Sequence, residues 1–73
     1  MKVDIEGFED RAIMPLLRMA PRSLWPRSIL IEKKHAHLWR EGCVVALTNA
    51  GYLVEWESWS DILLSQQMLP RNE

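Results

Sequence analysis

The segment Ser28–Glu32, with the sequence SILIE, contains three consecutive aliphatic residues and lies between two stretches whose apolar residues recur at helical spacing. An unbroken aliphatic run between polar residues is typical of a strand that is covered on both faces, as the strands of a parallel sheet are. Parallel strands need a crossover connection, and the flanking helical periodicity supplies one on each side. The run therefore predicts an α/β fold.

The remaining elements are predicted from the spacing of the apolar residues along the chain. Segments with apolar residues at every third or fourth position are predicted helices, and short β-branched or alternating segments are predicted strands. The order is β-α-β-α-β-β, in a mainly parallel sheet with helices on its faces and one antiparallel strand near the end. The predicted strands are residues 2–5, 28–32, 52–57 and 62–66, and the predicted helices are residues 8–19 and 38–50.

Three features inside these segments carry more specific expectations. Pro15 should kink or restart the first helix, because proline removes a backbone donor and clashes with the preceding turn. Gly51 should end the second helix in the left-handed conformation that glycine adopts readily. In the third strand, simple alternation places Tyr52, Val54 and Trp56 on the same face.

With 73 residues, of which 48% are hydrophobic, the chain is predicted to be one partial domain spanning residues 1–73. A globular chain of this size buries only about 60% of the surface that its unfolded form exposes. Four tryptophans and many aliphatic residues therefore suggest a missing neighbour. A net charge of −1 gives no reason to expect nucleic acid as a partner. The sequence begins with no cationic leader and has no run of about 18 apolar residues, which disfavours secretion and a membrane span. The single Cys43 excludes an internal disulfide, and we expect a buried thiol in a reducing cytoplasm.

Acidic residues crowd the end of the predicted first strand. Asp4 and Glu6 are two residues apart, so they share a face of a strand, and Gly7 allows a tight turn into the first helix. Carboxylates are tolerated where a strand leaves the sheet, and ligands of open α/β sheets bind beyond the carboxyl ends of the strands. On the adjacent strand, Glu32 is expected to emerge beside Asp4, within reach of a shared ligand, with His35 in the following loop.

Several of these residues also have ordinary structural interpretations. Glu9 and Asp10 lie in the first turn of the predicted helix, where acids interact favourably with the helix dipole. Glu32 is either a site residue or one partner of a strand-end ion pair. His35 and His37 have no third ligand at a recognised metal spacing, so no metal is predicted. The hypothesis that ranks last is a metal-dependent site built from Asp4, Glu6, Glu32 and His35.

Three motifs occur in order along the chain: KVDIEGFEDRAI, then ILIEKKH about twenty residues later, and finally LTNAGYLVEW. Together they resemble the closing portion of the FkbM family of S-adenosylmethionine-dependent methyltransferases. In that family the pattern Lys-(Ile/Val)-Asp-(Val/Ile)-Glu-Gly-x-Glu ends one strand, an apolar strand ending in Glu follows, and an Ala-Gly-Tyr turn precedes the next. The resemblance extends from Lys2 to about Gln66. It implies the C-terminal half of a class I methyltransferase (Rossmann-like) fold, from the fourth strand to a hairpin of the sixth and seventh strands.

The same resemblance implies methyl transfer from S-adenosylmethionine to an oxygen or nitrogen nucleophile of a small-molecule or glycan-like acceptor. Asp4 would act as general base or orient the nucleophile, and Glu6 would help to organise the same acceptor site at the carboxyl ends of the strands. The family's first half carries the glycine-containing loop that binds the methyl donor, and none of the three glycines here belongs to a G-x-G pattern. The chain is therefore expected to be a fragment that does not bind the donor alone. The residues that the resemblance makes substrate-site candidates are Gly7, Glu9, Glu32 and His35.

The alternative is a non-catalytic α/β binding or dimerisation module. An edge strand exposes backbone donors and acceptors that can pair with a strand of another chain. Under this hypothesis the first strand recruits the partner, and self-association through the exposed sheet edge is expected. Neither hypothesis calls for a nucleic acid or a membrane.

Overall fold

The computed structural model describes residues 1–3 and 6–67, which form an α/β domain with a four-stranded mixed sheet and two α-helices. The predicted order of elements is confirmed. Two short 3₁₀ turns, Arg22–Leu24 and Ala36–Leu38, lie before β2 and before α2. The strands are β1 (Lys2–Val3), β2 (Ser28–Glu32), β3 (Tyr52–Glu57) and β4 (Asp61–Gln66), and the helices are α1 (Glu9–Met19) and α2 (Cys43–Asn49).

The last strand lies inside the sheet. The spatial order is β1-β2-β4-β3, with β1 parallel to β2 and with β4 antiparallel to both β2 and β3. Three strands therefore run one way and β4 runs the other way, as predicted. Two of the three pairings are nevertheless antiparallel, because β4 inserts between β2 and β3. In that position β4 pairs on both sides, which satisfies more backbone groups than an edge position would.

Both helices pack against one face of the sheet. The strand residues that reach the core share this face through their register, since Val3 pairs with Ile31 and Ile31 with Ile62. Burial of these aliphatic side chains contributes roughly 1.5–3 kcal/mol each to stability relative to an exposed position. The buried core consists of Val3, Ile13, Ile29, Ile31, Cys43, Leu47, Tyr52, Ile62 and Leu64.

The opposite face of the sheet, here called the open face, carries no helix among the described residues. Its apolar residues are only partly covered, and Leu53 and Trp56 are 51% and 53% exposed. The prediction that β2 is covered on both faces is wrong, because its residues alternate between buried and half-buried. The open face is formed by Lys2, Ser28, Leu30, Leu53, Trp56, Leu63 and Ser65.

Helix α1 runs through its proline without interruption. It begins at Glu9, one residue later than predicted, and ends at Met19 as predicted. The expected restart at Pro15 is wrong. Proline costs about 3 kcal/mol in a helix interior, but Pro15 lies on the exposed side while Ile13 is fully buried. Packing of the buried side offsets the lost hydrogen bond.

The second helix is shorter than predicted. A 3₁₀ turn at Ala36–Leu38 and a loop precede α2, whose first residue is Cys43. The backbone N–H groups of Arg40 and Glu41, in this loop, donate to the carboxylate of Asp10. Gly51 follows the helix with φ +108°, as predicted from its place after Ala50.

A β-bulge changes which side chains of β3 share a face. Val54 pairs with Leu64, but Trp56 pairs with Leu63, so Glu55 is the extra residue. A bulge shifts the residues that follow it to the other face. The prediction that Val54 and Trp56 share a face is therefore wrong, and Trp56 lies on the open face.

Candidate functional site

The candidate site lies at the edge of the sheet where β1 and β2 end. Because these two strands are parallel, their carboxyl ends meet at the same edge. Glu6 and Gly7 follow β1 at this edge, and Glu32 is the last residue of β2. Asp4 lies outside the described residues. The expected proximity of Asp4 to Glu32 therefore stays a prediction.

The turn between β1 and α1 uses two consecutive residues with positive φ. Gly7 has φ +102° and Glu6 has φ +50°. Residues other than glycine rarely adopt this left-handed backbone conformation. Glu6 is exposed. A Cβ atom placed on Gly7 would lie 2.6 Å from Leu38 Cδ1 and 3.3 Å from His35 Cβ. The turn therefore lies directly against the loop that follows β2, which brings Gly7 and His35 together.

The Glu9 carboxylate fixes this turn. Its Oε1 accepts hydrogen bonds from the Gly7 backbone N–H at 3.0 Å and from the Trp39 indole Nε1 at 2.9 Å. Glu9 is fully buried. Hydrogen bonds to an ionised acceptor are roughly twice as strong as neutral ones, so a buried carboxylate with two donors is a firm anchor. Glu9 therefore joins the turn at Glu6 and Gly7 to the loop before α2.

Asp10 makes a second connection to the same loop. Its Oδ2 accepts the backbone N–H groups of Arg40 at 2.9 Å and of Glu41 at 3.1 Å. The residue is only 1% exposed, and its Oδ1 has no hydrogen-bond partner among the described residues. Asp10 therefore holds the segment before α2 in its loop conformation.

Burial and hydrogen bonding act in opposite directions on these acidic groups. Burial tends to raise the pKa of Asp10, but the N–H groups of Arg40 and Glu41 and the charge of Arg11 outweigh it, so this pKa is lowered from 3.8. For the thiol of Cys43, burial and the nearby negative charges of Asp10 and Glu9 raise the pKa to about 11. Cys43 is therefore a protonated core residue, as its position on the inner helical face predicts.

Glu32 and the two histidines complete the edge. Glu32 is half-buried, and its carboxylate lies 3.9 Å from the Lys34 ammonium. This weak contact is a strand-end ion pair, one of the two interpretations of Glu32 that the sequence allows. The His35 and His37 rings are 6.2 Å apart, and the buried Nδ1 of His35 has no hydrogen-bond partner in the part of the chain that the structure describes. Within residues 1–3 and 6–67, no three His, Cys, Asp or Glu residues are grouped closely enough to hold a metal ion.

Sequence reasoning missed two residues that build this edge. The sequence predicts only a helix-dipole role for Asp10 and only a helical position for Trp39, but both tie the loop before α2 to the first turn of α1. A tryptophan indole is a donor only, and when partly buried it needs an acceptor. Two acids next to each other at a helix start are the acceptors available.

Comparison of the chain with family models, with curated proteins and with solved structures returned no match. None of the helices in the described ranges is long and apolar enough to cross a membrane.

Proposed function

We propose that these residues form the C-terminal half of an S-adenosylmethionine-dependent methyltransferase that resembles the FkbM family. The observation that carries the proposal is the position of β4 inside the sheet, antiparallel to β2 and β3. In a class I methyltransferase fold the seventh strand is antiparallel and lies between the fifth and the sixth. With β1 and β2 as the fourth and fifth strands, and β3 and β4 as the sixth and seventh, the spatial order here is the same.

The positions of the motif residues support the same proposal. The Glu-Gly-x-Glu portion of the first motif corresponds to Glu6, Gly7 and Glu9. Glu6 and Gly7 form the left-handed turn beyond β1, and Glu9 holds that turn through the Gly7 N–H. Three residues of the family pattern therefore lie at this turn of the candidate site, which supports the proposal.

The open face supports the idea that a neighbouring segment is missing. Leu30 on β2 and Leu63 on β4 are only half-buried, although these are the two central strands of the sheet. Trp56 on the neighbouring β3 is 53% exposed. A contiguous exposed apolar surface marks an interaction site. A doubly wound fold covers both faces of its sheet, and the first half of such a fold would supply the absent layer.

The described residues do not themselves fit the methyl donor. A nucleoside cradle needs closely spaced glycines that allow the backbone to approach the ligand. Gly7, Gly42 and Gly51 are far apart in sequence, and Gly7 is in contact with Leu38 and His35. The proposal therefore assigns donor binding to a segment other than these 73 residues.

In the proposed enzyme, this chain contributes to binding of the methyl acceptor. Asp4 would accept or orient the proton of an oxygen or nitrogen nucleophile on a small-molecule or glycan-like acceptor. Glu6, exposed two residues after Asp4, would help to organise the acceptor site at this edge of the sheet, to which Glu32 and His35 also contribute. We place the protein in the cytoplasm, where a lone Cys43 remains reduced.

The proposal is tested by calorimetric titration of the purified chain with S-adenosylmethionine. We expect no saturable heat and no methyl transfer. If the reading frame continues upstream of Met1, the longer product should bind the donor, and Glu6→Gln in that product should reduce methyl transfer with little change in donor affinity. Saturable micromolar binding by a folded monomer of the 73-residue chain would contradict the fragment proposal.

A second candidate function is a binding module that pairs through β1. The observation in its favour is that β1 lies at the edge of the sheet and pairs only with β2 among the described strands. The carbonyl of Met1 accepts the N–H of Leu30, so the backbone groups of Lys2 point away from β2 and are available to a partner.

Two pairs of variants distinguish the interfaces by sedimentation velocity. Lys2→Pro removes the outward N–H of β1, whereas Lys2→Gln removes the same charge and keeps the donor. If β1 recruits the partner, only the proline variant should lose self-association. If the open face is responsible, Trp56→Gln should lose it, while Trp59→Gln, altered in the turn between β3 and β4, should not. Unchanged association in all four variants would contradict both interfaces.

A further inference from the structure

A cavity of about 230 Å³ opens at the opposite end of the sheet from the candidate site. Arg27 directly precedes β2 and Gln66 is the last residue of the antiparallel β4, so the cavity lies where the three parallel strands begin. The proposed methyltransferase role does not use this end. The cavity is lined by Arg22, Ser23, Trp25, Arg27 and Gln66.

The back wall of this cavity is fixed by hydrogen bonds. The side-chain amide of Gln66 donates to the carbonyl groups of Trp25 at 3.3 Å and of Pro26 at 3.2 Å. The Trp25 indole donates to the carbonyl of Ala20 at 3.1 Å, and its ring stacks on Tyr52 with 6.4 Å between centroids. The wall is therefore in place before any ligand arrives, which lowers the entropic cost of binding.

The charged side chains at the cavity are both arginines. Arg22 and Arg27 are exposed, neither forms an ion pair among the described residues, and no carboxylate lines the cavity. The guanidinium of Arg22 lies 5.0 Å above the Trp25 ring, which restricts where it can move. Gly51 leaves room for it, since a Cβ there would lie 2.7 Å from Arg22 Nη2. Two arginines without an ion-pair partner in the described part of the chain give this cavity a local positive charge, although the net charge of the chain is −1.

We propose that this cavity binds a phosphate dianion, either as inorganic phosphate or as the phosphoryl group of a small phosphomonoester. Two guanidinium groups present planar pairs of donors that match phosphate oxygens, and the Ser23 hydroxyl adds a further donor. Pockets for larger ligands have volumes of roughly 300–1,000 Å³. A cavity of about 230 Å³ therefore suits a phosphoryl group with a few attached atoms.

The test is a titration of the ¹⁵N-labelled full chain with inorganic phosphate, and separately with glucose 6-phosphate, at ionic strength held constant with sodium chloride. Saturable shifts are expected for the Trp25 indole and for the side-chain Nε–H signals of Arg22 and Arg27. Tighter binding of the ester would identify a phosphorylated metabolite as the ligand, and equal binding would identify phosphate itself. Shifts that rise linearly without saturation would overturn the proposal.

Matched variants assign the effect to the cavity. Arg22→Gln and Arg27→Gln should each weaken phosphate binding about tenfold, since a charge-assisted hydrogen bond is lost. Arg22→Lys should retain part of the affinity because it keeps the charge but loses the planar fork. Arg40→Gln removes the same charge from an exposed residue outside the cavity and should change nothing. Equal binding by the wild type and by a double Arg22→Gln, Arg27→Gln variant would refute the site.

A stability measurement provides a second readout that needs no spectral assignment. A ligand that binds only the folded state raises its stability. Phosphate should therefore raise the urea midpoint of the wild type more than that of the double variant. The difference between the two proteins removes the general stabilising effect of phosphate salts. An identical increase in both proteins would contradict specific binding.

Discussion

Replacing Asp10 by Asn should destabilise the protein in a pH-dependent way. The carboxylate is 1% exposed and accepts two backbone N–H groups, from Arg40 at 2.9 Å and from Glu41 at 3.1 Å. A hydrogen bond to a charged group contributes about 1.5–3 kcal/mol and a neutral one about 0.5–1.5 kcal/mol. Loss of charge at both bonds removes roughly 2–3 kcal/mol, and relief from burying a charge returns part of it. We expect a net loss of about 2 kcal/mol at pH 7.

The pH dependence has a definite sign. The pKa of Asp10 is lowered in the folded state, from an ordinary value of 3.8. Its ionised form therefore stabilises the fold fully above that value, and this contribution disappears as the pH falls through the folded-state pKa. Asparagine does not titrate. The difference in unfolding free energy between the wild type and Asp10→Asn should be constant above about pH 5 and should shrink towards pH 3.

Urea unfolding followed by circular dichroism at pH 7 and at pH 3.5 measures this difference. Glu55→Gln is the matched control, because it removes the same charge from an exposed residue and should change stability by less than about 0.5 kcal/mol. Hydrogen exchange at Arg40 and Glu41 should also accelerate in Asp10→Asn. The reasoning would be refuted if Asp10→Asn were as stable as the wild type at pH 7, or equally destabilised at both pH values.

Two further predictions concern the same region. Because the pKa of Cys43 is raised to about 11, its thiol should resist alkylation at pH 8 in the folded protein and react after unfolding, and rapid labelling of the native protein would contradict its burial. The free energy of unfolding should also fall above about pH 9, since the thiol ionises at lower pH in the unfolded protein than in the folded one. Gly7→Ala should destabilise the protein by about 1–2 kcal/mol, because alanine is strained at φ +102° and its Cβ would meet Leu38. Gly42→Ala, where φ is −77° and a Cβ meets only ordinary contacts, should have a much smaller effect in the same urea assay, and equal effects would show that the left-handed turn is unimportant.

Local patterns predicted the elements of this fold well because each depends on nearby residues. The bounds of β2 and β3 match the predicted segments, and Gly51 ends α2 in the expected conformation. The end of β1 also lies beside the end of β2, as the parallel pairing predicted. These features follow from periodicity, from glycine and from crossover geometry, all of which can be read over short stretches.

The features that sequence did not predict depend on distant contacts. A loop takes the place of the first turn of the predicted second helix, and its backbone N–H groups donate to Asp10, about thirty residues earlier in the sequence. The position of β4 depends on its pairing with both β2 and β3. The bulge at Glu55 shifts Trp56 to the open face without any glycine or proline to indicate it. No local pattern encodes such pairings, so the geometry of the site was only partly predictable.

The central position of β4 has a consequence for synthesis of the protein on the ribosome. Strands β2 and β3 do not pair with each other, and β4 lies between them and pairs with both. Of the described strands, β4 is the last to be synthesised. A nascent chain that has released β1, α1, β2, α2 and β3 would still have a β1–β2 pair with an unpaired edge and a single strand, β3, without a partner. Cooperative closure must therefore wait for residues 61–66, and during that wait the exposed edges are open to aggregation or to chaperones. A ribosome that stalls shortly before this segment would hold a chain that cannot yet fold.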